Sequence, residues 1–166
     1  MLKTAAFLGA LVAFPLTSGC GSEAGNDGPA IVFDPCQPTL LLAGADTTAP
    51  ERAALGDALA LWRSVGGPNL SLGDQDAAQI LPIGFESAAP AFFGLYRPDR
   101  GDILINRQLG DAGARAITLA HEIGHAFGLA HVNGRRSLMN PGNLQVPPAA
   151  EDSQLIYERR QSCPRP

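Results

Sequence analysis

An α+β domain is what the order of patterns along this chain predicts. Short apolar or alternating runs read as strands, about four to five of them, and three longer segments with helical spacing read as helices. Gly and Pro are plentiful, at 19 and 14, which suits a loop-rich fold, and a hydrophobic content of 45% is enough for a core. At 166 residues the chain holds one domain and a short leader. The net charge is −4 with no run of Lys or Arg, which argues against nucleic acid or an acidic partner surface.

Met1-Leu2-Lys3 is a short positive start, and Ala5 to Leu16 is an apolar run too short to cross a membrane as a helix. With the small residues Thr17-Ser18-Gly19 they read as an export signal over 1–19, removed rather than built into the fold. Leu16-Thr17-Ser18-Gly19-Cys20 resembles a bacterial lipobox, which implies that Cys20 is lipidated and that the protein is held at the cell envelope by an anchor. Ordinary secretion is the alternative. Residues 20–30 are Gly, Ser, Asn, Asp and Glu with little to bury, and read as a flexible tether. The folded domain then covers 31–166.

With Cys20 acylated, Cys36 and Cys163 remain, and an even pair in an exported protein suggests a disulfide. It would staple the two ends of the domain; two free thiols are the other reading. Thr39 to Ala43 is the first strand. Thr48 and Glu51 form a T-x-x-E capping box with Pro50 in the first turn. Leu55, Ala58, Leu59 and Trp62 follow at helical spacing, and Gly66-Gly67 ends that helix, with Trp62 as a core anchor.

Asn69 to Leu72, Ile80 to Phe85, Ala91 to Tyr96 and Asp102 to Asn106 are strand candidates, the last two joined by a turn over 97–101. Asp74, Asp76, Asp99, Asp102 and Asp111 show no spacing of a calcium loop and read as solvated turn residues, so calcium is possible but unsupported. Residues 113 to 127 form the second helix, with Ala116, Leu119, Ala120, Ile123 and Phe127 on its apolar face. Pro147-Pro148 and Glu151-Asp152 mark the start of the last helix, with Arg159-Arg160 at its end. Leu155, Ile156 and Tyr157 are expected mostly in the core.

All three histidines of the chain fall between positions 121 and 131, in H-E-x-x-H-x-x-G-x-x-H. On a helix His121 and His125 stand one above the other on one face, placed to bind one Zn²⁺ at about 2.0–2.1 Å. Glu122 is about 100° further round, so it is not aimed as a ligand but can reach a water beside the metal. Gly128 can take the left-handed turn that ends the helix and returns His131 as third ligand. Three protein ligands leave a fourth position for water, the catalytic arrangement. Gly124 costs about 1 kcal/mol inside a helix relative to Ala, so something should pack closely there.

Thr118-Leu119-Ala120-His121-Glu122 through Ala130-His131, then Ser137-Leu138-Met139-Asn140-Pro141, resemble the metzincin zinc proteases, and within them the matrixins. Ala58-Leu59-Ala60-Leu61-Trp62 and Gln154-Leu155-Ile156-Tyr157 echo the first and last helices of that fold. The likeness spans roughly residues 38 to 160, and only 118 to 141 are specific. It implies a twisted mixed sheet with three helices, one catalytic zinc, Met139 as the Met-turn beneath it, and a sheet edge near 91–96 that pairs with an extended peptide. Gly142 to Val146 would line the pocket that selects the substrate side chain.

There are departures. Asn140 stands where matrixins carry Tyr, so no tyrosine is assigned to transition-state stabilisation. No further histidine remains for a second, structural zinc. Asp34-Pro35-Cys36-Gln37-Pro38 does not match the inhibitory cysteine segment of the family.

The expected protein is a monomeric, exported zinc endopeptidase acting on proteins or peptides, with Glu122 as the base. A non-catalytic, zinc-stabilised envelope lipoprotein that binds peptides, and a peptidase of peptidoglycan cross-links, are the alternatives.

Overall fold

The computed structural model describes residues 30–73 and 77–158. The signal, Cys20, the tether up to residue 29, Asp74, Asp76, Arg159, Arg160 and Cys163 lie outside them. Five strands form one mixed sheet: β1 (Thr39–Ala43), β2 (Leu70–Leu72), β3 (Gln79–Glu86), β4 (Gly94–Arg97) and β5 (Asp102–Asn106). Their spatial order is β2-β1-β3-β5-β4, parallel throughout except that β4 runs antiparallel to β5 at one edge. Three helices complete the fold: α1 (Ala49–Ser64), α2 (Ala112–Ala126) and α3 (Ala150–Glu158).

The sheet has a covered and an open face because its strands alternate. Leu41, Leu81, Ile83, Phe85, Ile103 and Ile105 are buried, while Leu42 and Ile80, on the opposite side of the pleat, are exposed. The register sets Leu41 beside Leu81 and Ile83 beside Ile103, so one apolar surface runs across the central strands.

α1 begins where the capping residues place it. The Glu51 carboxylate accepts from the Thr48 backbone N–H at 2.7 Å and from its hydroxyl at 2.8 Å. Gly66 takes φ +67° just beyond the helix, and a Cβ on Gly67 would lie 2.7 Å from the Trp62 ring. Trp62 is fully buried, and its indole N–H donates to the Ala120 carbonyl at 3.0 Å, which joins α1 to α2.

Three expectations change in detail. β4 starts at Gly94 rather than Ala91, because the Asn106 side chain holds the preceding residues as a loop. Its amide donates to the carbonyls of Ala89 (3.2 Å) and Phe92 (2.8 Å), and its oxygen accepts from the Ala88 N–H (3.2 Å). Asp111 is a helix cap rather than a plain turn residue, accepting from the Ala114 N–H at 2.7 Å. On α3 Ile156 is fully in the core and Leu155 packs against it partly buried, whereas Tyr157 is 37% exposed and donates to the Gly67 carbonyl at 3.0 Å.

Among the described residues, no helix is long and apolar enough to cross a membrane. Cys36 is disulfide-bonded; the expected partner, Cys163, lies outside the described residues.

Candidate metal centre

α2 places the first two histidines. It is buried almost all round, since Ala116, Leu119, Ala120 and Ile123 face the core while His121 and Glu122 are also enclosed. The helix ends as glycine predicts. Gly128 has φ +86°, its N–H donates to the His125 carbonyl at 2.9 Å, and the Leu129 N–H donates to the Gly124 carbonyl at 2.9 Å. This pair of bonds is the Schellman arrangement, and it turns the chain so that His131 comes back to the helix.

The three Nε2 atoms form a nearly equilateral triangle. His121 and His125 are 3.1 Å apart, His125 and His131 3.2 Å, and His121 and His131 3.3 Å. A tetrahedral Zn²⁺ with nitrogens at about 2.0–2.1 Å has ligand–ligand edges of about 3.3 Å, so the triangle fits one face of such a site.

The protonation pattern gives a second test of the fit. His121 Nδ1 lies 2.7 Å from the Leu138 carbonyl, and His125 Nδ1 lies 2.7 Å from the Leu129 carbonyl. A carbonyl only accepts, so each Nδ1 carries the proton and each Nε2 of a neutral ring is a bare lone pair. Two lone pairs thus face each other at 3.1 Å. A single N–H from His131 could serve one of them but not both. A cation between the three nitrogens satisfies all of them, and the two carbonyls are the outer partners that fix the tautomer of a ligating imidazole.

Burial enforces the neutral form. It pushes His121 down to about 4, with the neighbouring His125 adding to the effect against the favourable Leu138 carbonyl. His125 is likewise pushed down to about 4 by burial, and burial lowers His131 too. The three residues together could hold a metal ion.

Glu122, next to His121 on the helix, reaches the sheet edge at β4. It is buried, and one carboxylate oxygen accepts the Tyr96 backbone N–H at 2.8 Å. Its stem lies against Gly94, where an added Cβ would be 3.0 Å from Glu122 Cγ and 2.7 Å from Thr118 Cγ2. Glycine is what lets β4 approach α2 so closely.

Beneath the helix, a Cβ on Gly124 would lie 2.7 Å from the Met139 sulfur, which answers what packs at that glycine. Met139 and Leu138 are fully enclosed. Their loop hangs on the side chains of Ser137, Asn143 and Asp152. Asp152, buried at the start of α3, accepts from the Ser137 hydroxyl at 2.8 Å and the Ala149 N–H at 2.9 Å. The Ser137 oxygen accepts from the Met139 N–H at 3.1 Å. Asn143 donates at 2.9 Å to the Leu138 carbonyl, the same one that receives His121. Ser137 lies in the Met-turn segment, Asn143 in the stretch expected to line a pocket, and Asp152 at the expected helix start, but their sequence positions do not show that they hold this loop.

Of the segment after Met139, Leu144 and Gln145 line an open groove of about 650 Å³ with Asp57 and Leu61 of α1 and Ala114 and Ile117 of α2. The groove thus lies between α1 and the first two turns of α2.

The described residues thus combine a mixed five-stranded sheet, three helices, and a histidine trio able to hold a metal. A solved structure shares the architecture. The crystal structure of archaemetzincin from Methanopyrus kandleri aligns with a TM-score of 0.54, covering 76% of this chain and 97% of that one at 16% identity, which is a likeness of fold. No family model and no curated protein matches this chain in sequence.

Proposed function

We propose that this chain is a zinc-dependent peptidase of metzincin type, matrixin-like in its Met139 turn, and that it hydrolyses internal bonds of proteins or peptides. The observation that carries the reading is the triangle of inward-facing imidazole nitrogens adjoining a buried carboxylate on the same helix. The archaemetzincin-like fold supports it at the level of architecture.

His121, His125 and His131 would hold one Zn²⁺, which supplies Lewis acidity toward the scissile carbonyl and toward water. The work of the chain's own groups follows from their positions. Neutral imidazoles present lone pairs, and the Leu138 and Leu129 carbonyls keep both ring orientations. Met139 closes the floor against Gly124. Glu122, held by the Tyr96 N–H, accepts a proton from the attacking water and passes it to the leaving amine.

The site does not need Glu122 if its metal is only a structural staple, and that separates this reading from a non-catalytic peptide-binding lipoprotein. Glu122→Ala should keep stoichiometric zinc and lose peptide hydrolysis by a factor of about 100 or more. A casein or quenched-peptide assay with and without chelator, beside elemental analysis, measures both. Hydrolysis unchanged in the variant would remove Glu122 from the chemistry. Purified sacculi in the same assay test for cross-link cleavage.

Export, lipidation at Cys20, a monomeric state and a Cys36–Cys163 bridge belong to the same proposal. Intact mass of the mature protein from membranes reads the acyl group directly.

A further inference from the structure

The outer edge of β4 is where a peptide beside Glu122 would add to the sheet. In an antiparallel pair, alternate residues direct their backbone groups to the partner strand. Asn106 donates to the Phe93 carbonyl at 2.9 Å, so Phe93, Leu95 and Arg97 face β5, and Gly94 and Tyr96 face outward; Pro98 opens the turn that follows β4. Two groups at this end of β4 are engaged within the chain. The Tyr96 N–H is on Glu122 at 2.8 Å, and the Pro98 carbonyl accepts the Ile31 N–H at 2.7 Å.

Ile31 is held there from several sides. The Tyr96 hydroxyl donates to the Ile31 carbonyl at 2.5 Å. That hydroxyl stays protonated, because burial, with the Asp102 charge behind it, pushes it up to about 12. The Ile31 side chain lies over Gly101, whose Cβ would fall 3.0 Å from Ile31 Cγ2. Two residues on, the Phe33 N–H donates to the Ala126 carbonyl at 2.9 Å, and its ring packs on Phe127 with centroids 6.1 Å apart. Ile31 thus sits just past the end of β4, where an added strand would continue beyond Tyr96, tied there to the first residue of the turn.

We infer that Ile31 is a stop on the substrate-binding edge: a cleaved peptide lies along Gly94 to Tyr96 and cannot extend beside Pro98. This rests on the peptidase reading above. β4 runs toward Pro98, and antiparallel addition is the more stable pairing, so the peptide residues on the Pro98 side are those N-terminal to the scissile bond. The Tyr96 N–H marks the position of Glu122, and Pro98 is two residues, about 7 Å, further along. About two substrate residues therefore fit before the cut, while the C-terminal side runs out past Gly94 without this barrier. The specificity implied narrows the internal-bond reading proposed above to bonds near the N-terminus of a chain.

The test is a digest of a peptide library by the zinc-loaded full chain, read by mass spectrometry as the number of residues before each cut. Wild type should place most cuts after the first or second residue. Ile31→Pro, which removes the N–H, and Tyr96→Phe, which removes the hydroxyl, should release the segment and add cuts after residues three to six. Faster amide exchange at Ile31 in Tyr96→Phe reads the release without reference to activity. Wild-type cuts spread evenly along the peptides overturn the stop and leave the peptidase reading standing, as does a cut distribution unmoved in variants whose segment is released. A library left intact by wild type overturns both.

Discussion

At His121 and His125 burial and hydrogen bonding act in opposite directions, and burial wins. Both are pushed down to about 4, against an ordinary value near 6.5 in the unfolded chain. Above about 6.5 they are neutral in both states and their contribution to stability is complete. As pH falls from 6.5 toward 4, the unfolded chain takes up protons that the folded site refuses, and the metal-free protein should lose stability across that window. Urea midpoints at pH 7.5 and pH 5 check it; an unchanged or higher midpoint at pH 5 would contradict the sign. Gly124 gives a second prediction at this scale. Alanine there gains about 1 kcal/mol in helix propensity but drives a methyl into the Met139 sulfur, an overpacking that costs about 1–3 kcal/mol. Gly124→Ala should melt lower and bind zinc more weakly, whereas Gly56→Ala, with nothing within 4 Å of its Cβ, should not. Equal behaviour of the two would mean that Met139 yields without cost.

Elements matter here through what holds them against one another. β4 lies close to α2 because Gly94 has no side chain, and it begins where it does because Asn106 ties down the loop before it. Asn106→Asp keeps the acceptor oxygen but loses the amide donors to Ala89 and Phe92, and sets a carboxylate against their carbonyls. The expected cost is about 1–3 kcal/mol, for unsatisfied groups at a buried position. Amide exchange should localise the loosening to 88–96, and protection unchanged there would show that the loop is held by something else. The helices themselves were legible in advance. The Thr48–Glu51 cap, the spacing from Leu55 to Trp62 and the glycine at 128 are local chemistry, and local chemistry is written in consecutive residues. The start of β4 was not legible, because the side chain that ends the loop comes after the strand it limits.

For the whole molecule the chain ends matter most. Cys36 stands just before β1 and is disulfide-bonded. If Cys163 is its partner, closing so long a loop is worth about 4–5 kcal/mol in the chain-entropy model. Cys36→Ser and Cys163→Ser should then melt alike, well below wild type. Peptide mapping under non-reducing conditions identifies the partner, and a free Cys163 would rule the pairing out. The α+β class, the approximate number of strands, the three helices and the grouping of the three histidines could be derived from residue order alone, because periodicity, caps and ligand spacing all act within about ten positions along the chain. Only the tertiary structure decided which carbonyls orient His121 and His125, that Met139 fills the space at Gly124, that Asp152 and Asn143 suspend the loop carrying Met139, and that the Tyr96 hydroxyl and the Pro98 carbonyl hold Ile31 at the end of β4. Those side-chain contacts join residues from 4 to 65 positions apart, and most depend on how far one element's backbone can approach another, a distance set by packing.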